Sequence, residues 1–130
     1  MQAGGERLPK TTTPTTRSSL KRVLDDVAAE RERQDAKYGP EVLEHGTGGE
    51  AQVAIRDRLQ RQTTTATKAG TVTRGQIIQT ELAEALAETE YGPLREELVQ
   101  VAASAVAFVQ QLDDEQEARL ERQRQDEDEA

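Results

Sequence analysis

The apolar residues between positions 94 and 112 recur every three or four residues, and this repeat restricts the fold more than any other feature of the chain. The repeating residues are Leu94, Leu98, Val101, Ala102, Ala105, Phe108, Val109 and Leu112. Such spacing puts them on one face of an α-helix, whereas a half-buried strand would alternate every second residue. No stretch of the sequence shows a convincing strand pattern. We therefore expect an all-α protein.

Three further helices are predicted before this one. The first covers about residues 19–37 and the second about residues 50–69, although the run of threonines in the second lowers its helix propensity. The third starts after a capping box formed by Thr73 and Gln76, and it continues to about Glu90. A Gly-rich loop separates the first two helices and is expected to provide turn geometry or a flexible lid.

The two ends of the chain differ in composition from the part between them. Residues 1–17 are polar and of low complexity, so we expect a disordered arm before a domain of residues 18–112. Pro93 suits the first turn of the fourth helix. Residues 113–130 are rich in acidic side chains, and they fit either the solvated end of that helix or a disordered acidic tail.

Composition excludes several classes of function. The net charge is −8, with 25 acidic against 17 basic residues, so binding to a nucleic-acid backbone is not expected. With no cysteine and one histidine, a metal within one chain must rest on oxygen ligands, which favours Mg²⁺ or Mn²⁺. No apolar run reaches the roughly 20 residues that span a membrane, so a cytoplasmic protein is expected. Aromatic residues make up only 2%, which predicts a thin core and pairing between subunits.

Glutamates on the last two predicted helices lie beside the apolar faces. At about 100° per residue, Phe108 lies about 20° from Glu97 around the helix axis. On the preceding helix, Glu81 and Glu84 share a face with Ile77. Like charges in such a position are costly unless a cation joins them, so the pattern fits a divalent metal site. It fits equally well a core edge where the glutamates pair with basic side chains, for which the candidates are Arg74, Arg95 and Lys68.

The spacing of these glutamates also matches a known motif. Residues 81–84 read ELAE and residues 97–100 read ELVQ, with twelve residues between the two stretches. This resembles the E-x-x-E and E-x-x-D signature of the MazG-like nucleotide pyrophosphohydrolases, members of the all-α NTP pyrophosphatase superfamily. The stretches ERERQDAKYG at 30–39 and HGTG at 45–48 are similar to those of actinobacterial and actinophage members. The resemblance covers about residues 20–112.

The resemblance implies a MazG-like bundle of four or five helices, completed by dimerisation into a homodimer or homotetramer. It implies Mg²⁺- or Mn²⁺-dependent cleavage of a nucleoside triphosphate to the monophosphate and pyrophosphate. By the same carry-over, Glu81, Glu84 and Glu97 are metal ligands and catalytic residues, with Gln100 as a further ligand. The substrate-binding residues implied at the end of the first helix are Arg33, Gln34, Lys37 and Tyr38.

Three positions depart from the family pattern. Gln100 replaces an aspartate, Thr80 replaces a glutamate found in many members, and Tyr38 replaces a tryptophan. The first two remove charge from the metal site. They favour an alternative in which the same fold binds a nucleotide or a nucleotide signal without turning it over. A third alternative is a purely structural helical interaction protein.

Overall fold

The computed structural model describes residues 17–129, with side chains from Ser19 onwards, and these residues form four helices and no strand. The helices are α1 (Arg17–Tyr38), α2 (Glu50–Ala69), α3 (Arg74–Leu86) and α4 (Tyr91–Glu129). The all-α prediction is therefore confirmed. The predicted N-terminal arm lies outside the described residues, except for Arg17, which begins α1. None of the four helices is long and apolar enough to cross a membrane.

The helix bounds differ from the predicted ones around the α3–α4 connection. α3 ends at Leu86, four residues before the predicted end, and the Glu88 amide donates to the Ala85 carbonyl at 3.1 Å in a tightened last turn. α4 begins at Tyr91 and continues without a break to Glu129. Residues 113–129 are thus the end of a helix, which is one of the two predicted alternatives.

Two helix ends are fixed by local hydrogen bonds. At the start of α3, the Gln76 amide donates to the Thr73 hydroxyl at 3.1 Å, and the Thr73 amide donates to the Gln76 side chain at 2.9 Å. This is the predicted capping box. At the end of α2, Gly70 adopts a φ of +75°, and the amides of Gly70 and Thr71 close a Schellman motif on the preceding carbonyls.

The helices form an open row rather than a closed bundle. α3 lies between α2 and α4, and α1 contacts α4 alone; no other pair of helices is in contact within residues 17–129. On the α1 side, the Gln110 side chain donates to the Ser19 hydroxyl at 3.2 Å, and Arg22 lies 3.8 Å from Asp113. An open row leaves one face of every helix without a helical neighbour.

The core is correspondingly thin. Val23 is the largest fully buried side chain, at 1% exposure. The other buried apolar residues of the described chain are Ala66, Ala83, Ala85, Ala87 and Val106. By contrast, several apolar side chains of α1 and α4 are exposed by about two fifths or more, namely Leu20, Leu24, Val27, Leu98, Val99, Leu112 and Leu120. These uncovered faces are where the predicted dimerisation would add buried area.

Candidate active site

The middle helix of the row, α3, presents glutamates to both of its neighbours. On the α4 side, the Ser104 hydroxyl donates a short hydrogen bond to Glu81 Oε1. On the α2 side, Gln60 Nε2 donates to Glu84 Oε2 at 2.8 Å. All four residues are half-buried. Each of these two glutamates therefore has one oxygen held by a polar group of a neighbouring helix.

Glu97 on α4 is the third glutamate of the predicted site, and it has no such support. Its Oε1 atom is buried and accepts no hydrogen bond from the described residues. Burial raises the pKa of this carboxyl, and the charges of Glu84, Glu88 and Glu81 raise the pKa further. A smaller effect in the same direction comes from Glu96. The fold thus brings Glu81 and Glu84 of α3, and Glu88 just after its end, close enough to Glu97 for their charges to be felt.

We call Glu81, Glu84, Glu88 and Glu97 the glutamate cluster. Glu81 and Glu84 lie three residues apart on α3, and Glu88 lies in the connection two residues after the helix ends at Leu86. Buried alanines at 83, 85 and 87 let α3 sit close to its neighbours, because a methyl side chain takes little space between helices. Position along α3 and close helix packing together create the cluster.

In their observed conformations, the side chains of the cluster do not form a complete metal site. Within residues 17–129, no three acidic or imidazole side chains are arranged to hold a metal ion. The carboxylates raise the pKa of Glu97 without converging on a common point. The unsatisfied Glu97 oxygen and the oxygen-only donor set nevertheless suit Mg²⁺ or Mn²⁺. Side-chain rotations are required for the carboxylates to meet at one cation.

Gln100 and Thr80, two of the three departures from the motif that the sequence resembles, have different surroundings. Gln100, a predicted metal ligand, is exposed on α4, in the turn after Glu97. Thr80 is buried, and its hydroxyl lies 2.6 Å from the Thr63 hydroxyl of α2. Thr80 is therefore part of the α2–α3 contact. The same hydrogen bond places one of the α2 threonines in a helix–helix interface, where packing outweighs their low helix propensity.

The predicted substrate residues of α1 lie apart from the cluster within one chain. Arg33, Gln34, Lys37 and Tyr38 are all exposed. Their interactions stay within α1: Arg33 pairs with Glu30 at 2.7 Å, and the Lys37 ammonium lies 5.2 Å from the centre of the Tyr38 ring. α1 contacts neither α2 nor α3. A single chain does not bring these residues to the glutamates.

Basic side chains do not neutralise the cluster. No ion pair joins Glu81, Glu84 or Glu97 to a lysine or arginine among the described residues. Arg74, one of the basic partners considered from the sequence, donates to Gln111 at 2.6 Å instead. The core-edge alternative requires salt bridges from these glutamates to basic side chains, and the described residues form none.

Sequence reasoning did not identify Gln60 as part of this site. The helical repeat places Glu88 on the face of Glu81, as a carboxylate that could compensate for the missing ones, and Ser104 in a polar strip beside Glu97. Ser104 lies seven residues after Glu97, two turns along the same side of α4, and this spacing is a signal that could have indicated its role. Gln60 offers no such signal, because its contact with Glu84 depends on how α2 packs against α3. In comparisons with known proteins, the chain matches no protein family, no curated protein and no solved structure.

Proposed function

We propose that this chain is a Mg²⁺- or Mn²⁺-dependent nucleoside triphosphate pyrophosphohydrolase that releases a nucleoside monophosphate and pyrophosphate. The observation that carries the proposal is the buried Glu97 oxygen without a hydrogen-bond donor, set among three further glutamates. A carboxylate in this position needs a proton or a cation. The motif resemblance supplies the reaction class.

In this proposal Glu81, Glu84 and Glu97 hold the cation, and Gln100 adds a neutral oxygen after a side-chain rotation. When bound, the divalent ion supplies charge neutralisation at the phosphate oxygens and a more acidic water. Ser104 and Gln60 each keep one oxygen of their glutamate oriented, which leaves the other oxygen of that carboxylate for the cation. Glu88, whose charge is felt at Glu97, is in this proposal the carboxylate that stays off the ion and accepts the proton of the attacking water.

We further propose that the working form is a homodimer or a higher homo-oligomer. The open row of helices and the half-exposed leucines and valines of α1 and α4 provide the apolar area. We propose that the second copy places Arg33, Gln34, Lys37 and Tyr38 of one chain towards the glutamate cluster of the other, since a single chain keeps them apart. The substrate site would then be shared between subunits.

A second candidate function is nucleotide binding without turnover. It is favoured by the surroundings of Gln100 and Thr80, since neither position adds a carboxylate to the cluster. Three ligating carboxylates would still bind a metal–nucleotide complex, but with less negative charge to fix a second cation. The two functions share the metal site and differ only in whether product forms.

The test is incubation of the purified protein with each ribo- and deoxyribonucleoside triphosphate and Mg²⁺ or Mn²⁺, with products resolved by ³¹P NMR. The hydrolase is expected to give monophosphate and pyrophosphate, and Glu97→Gln is expected to lose at least about 100-fold in rate, as for loss of one strong electrostatic contact. Glu96→Gln, on the same turn but exposed, is the matched control and should retain the rate. Binding without product would support the second candidate, and neither binding nor product would refute both.

A further inference from the structure

A separate pocket lies where the α1–α2 loop meets the start of α4. It has a volume of about 630 Å³ and is lined by residues 42–47 and by Tyr91. Two of its lining residues, Val42 and Leu43, are apolar and exposed, at 99% and 74%. None of the residues predicted to bind substrate contributes to this pocket.

The loop is held beside the glutamate cluster by its backbone. The Gly48 amide donates to the Leu86 carbonyl at the end of α3, at 2.8 Å. Gly48 has a φ of +81°, and a Cβ there would lie 2.8 Å from the Thr89 methyl group and 3.3 Å from the Glu88 carbonyl oxygen. Only glycine allows this approach. The loop therefore lies directly against the segment that carries Glu88.

Two aromatic rings meet at this pocket. The centres of the His45 and Tyr91 rings are 5.6 Å apart, with their planes inclined at 44°. Tyr91 is 79% exposed, so most of its ring is available to a ligand. Exposed aromatic faces of this kind are stacking platforms for flat heterocycles such as nucleobases. An apolar rim around such a platform also favours a flat ring over a fully hydrated ion.

The polar lining indicates which edge of a ring would be recognised. Glu44 is the acidic side chain that lines the pocket. An ionised carboxylate only accepts hydrogen bonds, and its two oxygens suit two adjacent N–H donors. Among nucleobases, guanine offers such a pair through N1–H and the 2-amino group. Tyr91 precedes Glu97 by six residues, or about 9 Å along α4, a separation that one nucleotide can bridge.

We propose that this pocket binds the base of a guanine nucleotide, with stacking on Tyr91 and His45 and hydrogen bonding to Glu44. This inference rests on the proposed function, because it assigns the base end of the substrate whose phosphates the glutamate cluster would take. It differs from the substrate contact at Tyr38 that the motif resemblance implies.

The test uses nucleosides without phosphate, in EDTA, so that the metal site takes no part. The chain has two tyrosines and one histidine, so their ring signals in aromatic ¹H–¹³C NMR spectra can be assigned by Tyr91→Phe and Tyr38→Phe variants. Guanosine is expected to shift the Tyr91 and His45 signals and to leave Tyr38 unmoved. Inosine, which lacks the 2-amino group, should bind more weakly, and adenosine, which also lacks N1–H, most weakly.

Variants separate the two contacts. Tyr91→Leu should weaken guanosine binding about 10-fold or more, whereas Tyr91→Phe keeps the ring and should bind as the parent does. Glu44→Gln should remove the preference for guanosine over inosine. Glu41→Gln, an exposed position of the same loop that does not line the pocket, should retain that preference.

The inference is overturned if no nucleoside moves the Tyr91 signal, if Tyr38 moves in its place, or if guanosine and adenosine bind equally. If the Tyr91 signal shifts with protein concentration but not with nucleoside, the pocket is a contact with a second copy of the chain, and the inference is overturned too. Nucleotide hydrolysis without a nucleoside effect would refute this inference and keep the proposed function. Nucleoside binding at Tyr91 without nucleotide hydrolysis would keep this inference and refute the proposed hydrolase.

Discussion

Replacing Glu97 by glutamine should have opposite effects on stability without and with a divalent ion. In the metal-free protein, Glu97→Gln removes a half-buried charge that three neighbouring glutamates oppose. The new amide can also donate to one of those carboxylates. The variant should therefore be more stable than the parent in EDTA. In excess Mn²⁺ the order should reverse, because the parent alone keeps its full set of charged ligands.

The size of each effect follows from the surroundings of Glu97. Leaving a buried acceptor without a donor costs about 1–3 kcal/mol. Only part of the Glu97 carboxylate is buried, so solvent screening brings the expected gain to about 1 kcal/mol. That corresponds to a rise in Tm of about 4 °C for a small domain. In saturating Mn²⁺ the parent gains over the variant by RT ln of the ratio of their Kd values, and a Kd 10-fold weaker in Glu97→Gln gives about 1.4 kcal/mol, enough to reverse the order.

The assay is thermal unfolding followed by far-UV circular dichroism at pH 7, in EDTA and in excess Mn²⁺. Glu96→Gln is the control, because Glu96 is exposed in an early turn of α4 and contributes least to the raised pKa of Glu97. Loss of its favourable interaction with the helix dipole should lower Tm slightly in both buffers. If Glu97→Gln lowers Tm in EDTA as Glu96→Gln does, the glutamate cluster is not electrostatically strained and the reasoning fails.

Three further predictions concern the same structure. The first concerns pH. Because the pKa of Glu97 is raised, the folded state holds this proton more tightly, so in EDTA the stability of the parent relative to Glu97→Gln should fall as pH rises from about 4.5 through the folded pKa. Urea unfolding at a series of pH values measures this difference. Thr63→Val should lower the free energy of unfolding by about 1–3 kcal/mol, because it leaves the buried Thr80 hydroxyl without its partner. Replacing both Thr63 and Thr80 by valine should cost less than the two single changes added together, and a double-mutant cycle in urea measures this. Gly48→Ala should lower Tm more than Gly39→Ala, since both have positive φ but only Gly48 has close neighbours.

Local patterns of the sequence were sufficient to predict the elements of this fold. The capping box at Thr73 and Gln76 depends on four consecutive residues, so it was predictable from those residues alone. The position of Glu97 at the edge of the core was predictable for a similar reason, because the helical repeat determines which residues share a face. The same geometry placed Glu81 and Glu84 beside the apolar residues of the third helix, where they meet α4 and α2 respectively.

Contacts between helices were not predictable in the same way. The Gln60–Glu84 and Thr63–Thr80 hydrogen bonds depend on how far α2 is rotated and shifted against α3, and no spacing along the chain determines that. The open row of helices has the same origin, since the helical repeats identify apolar faces but not their partners. The uninterrupted end of α4 was left open because its acidic composition suits both a solvated helix and a tail.

The glutamate cluster as a divalent metal site is the central claim, and Mn²⁺ binding followed by electron paramagnetic resonance tests it most directly. Titration of the parent protein should remove the signal of free Mn²⁺ with saturation at one or more ions per chain. Glu97→Gln should weaken this binding by about 10-fold or more, and Glu96→Gln should leave it unchanged. Equal Mn²⁺ binding by the parent and Glu97→Gln, or none by either, would contradict the account.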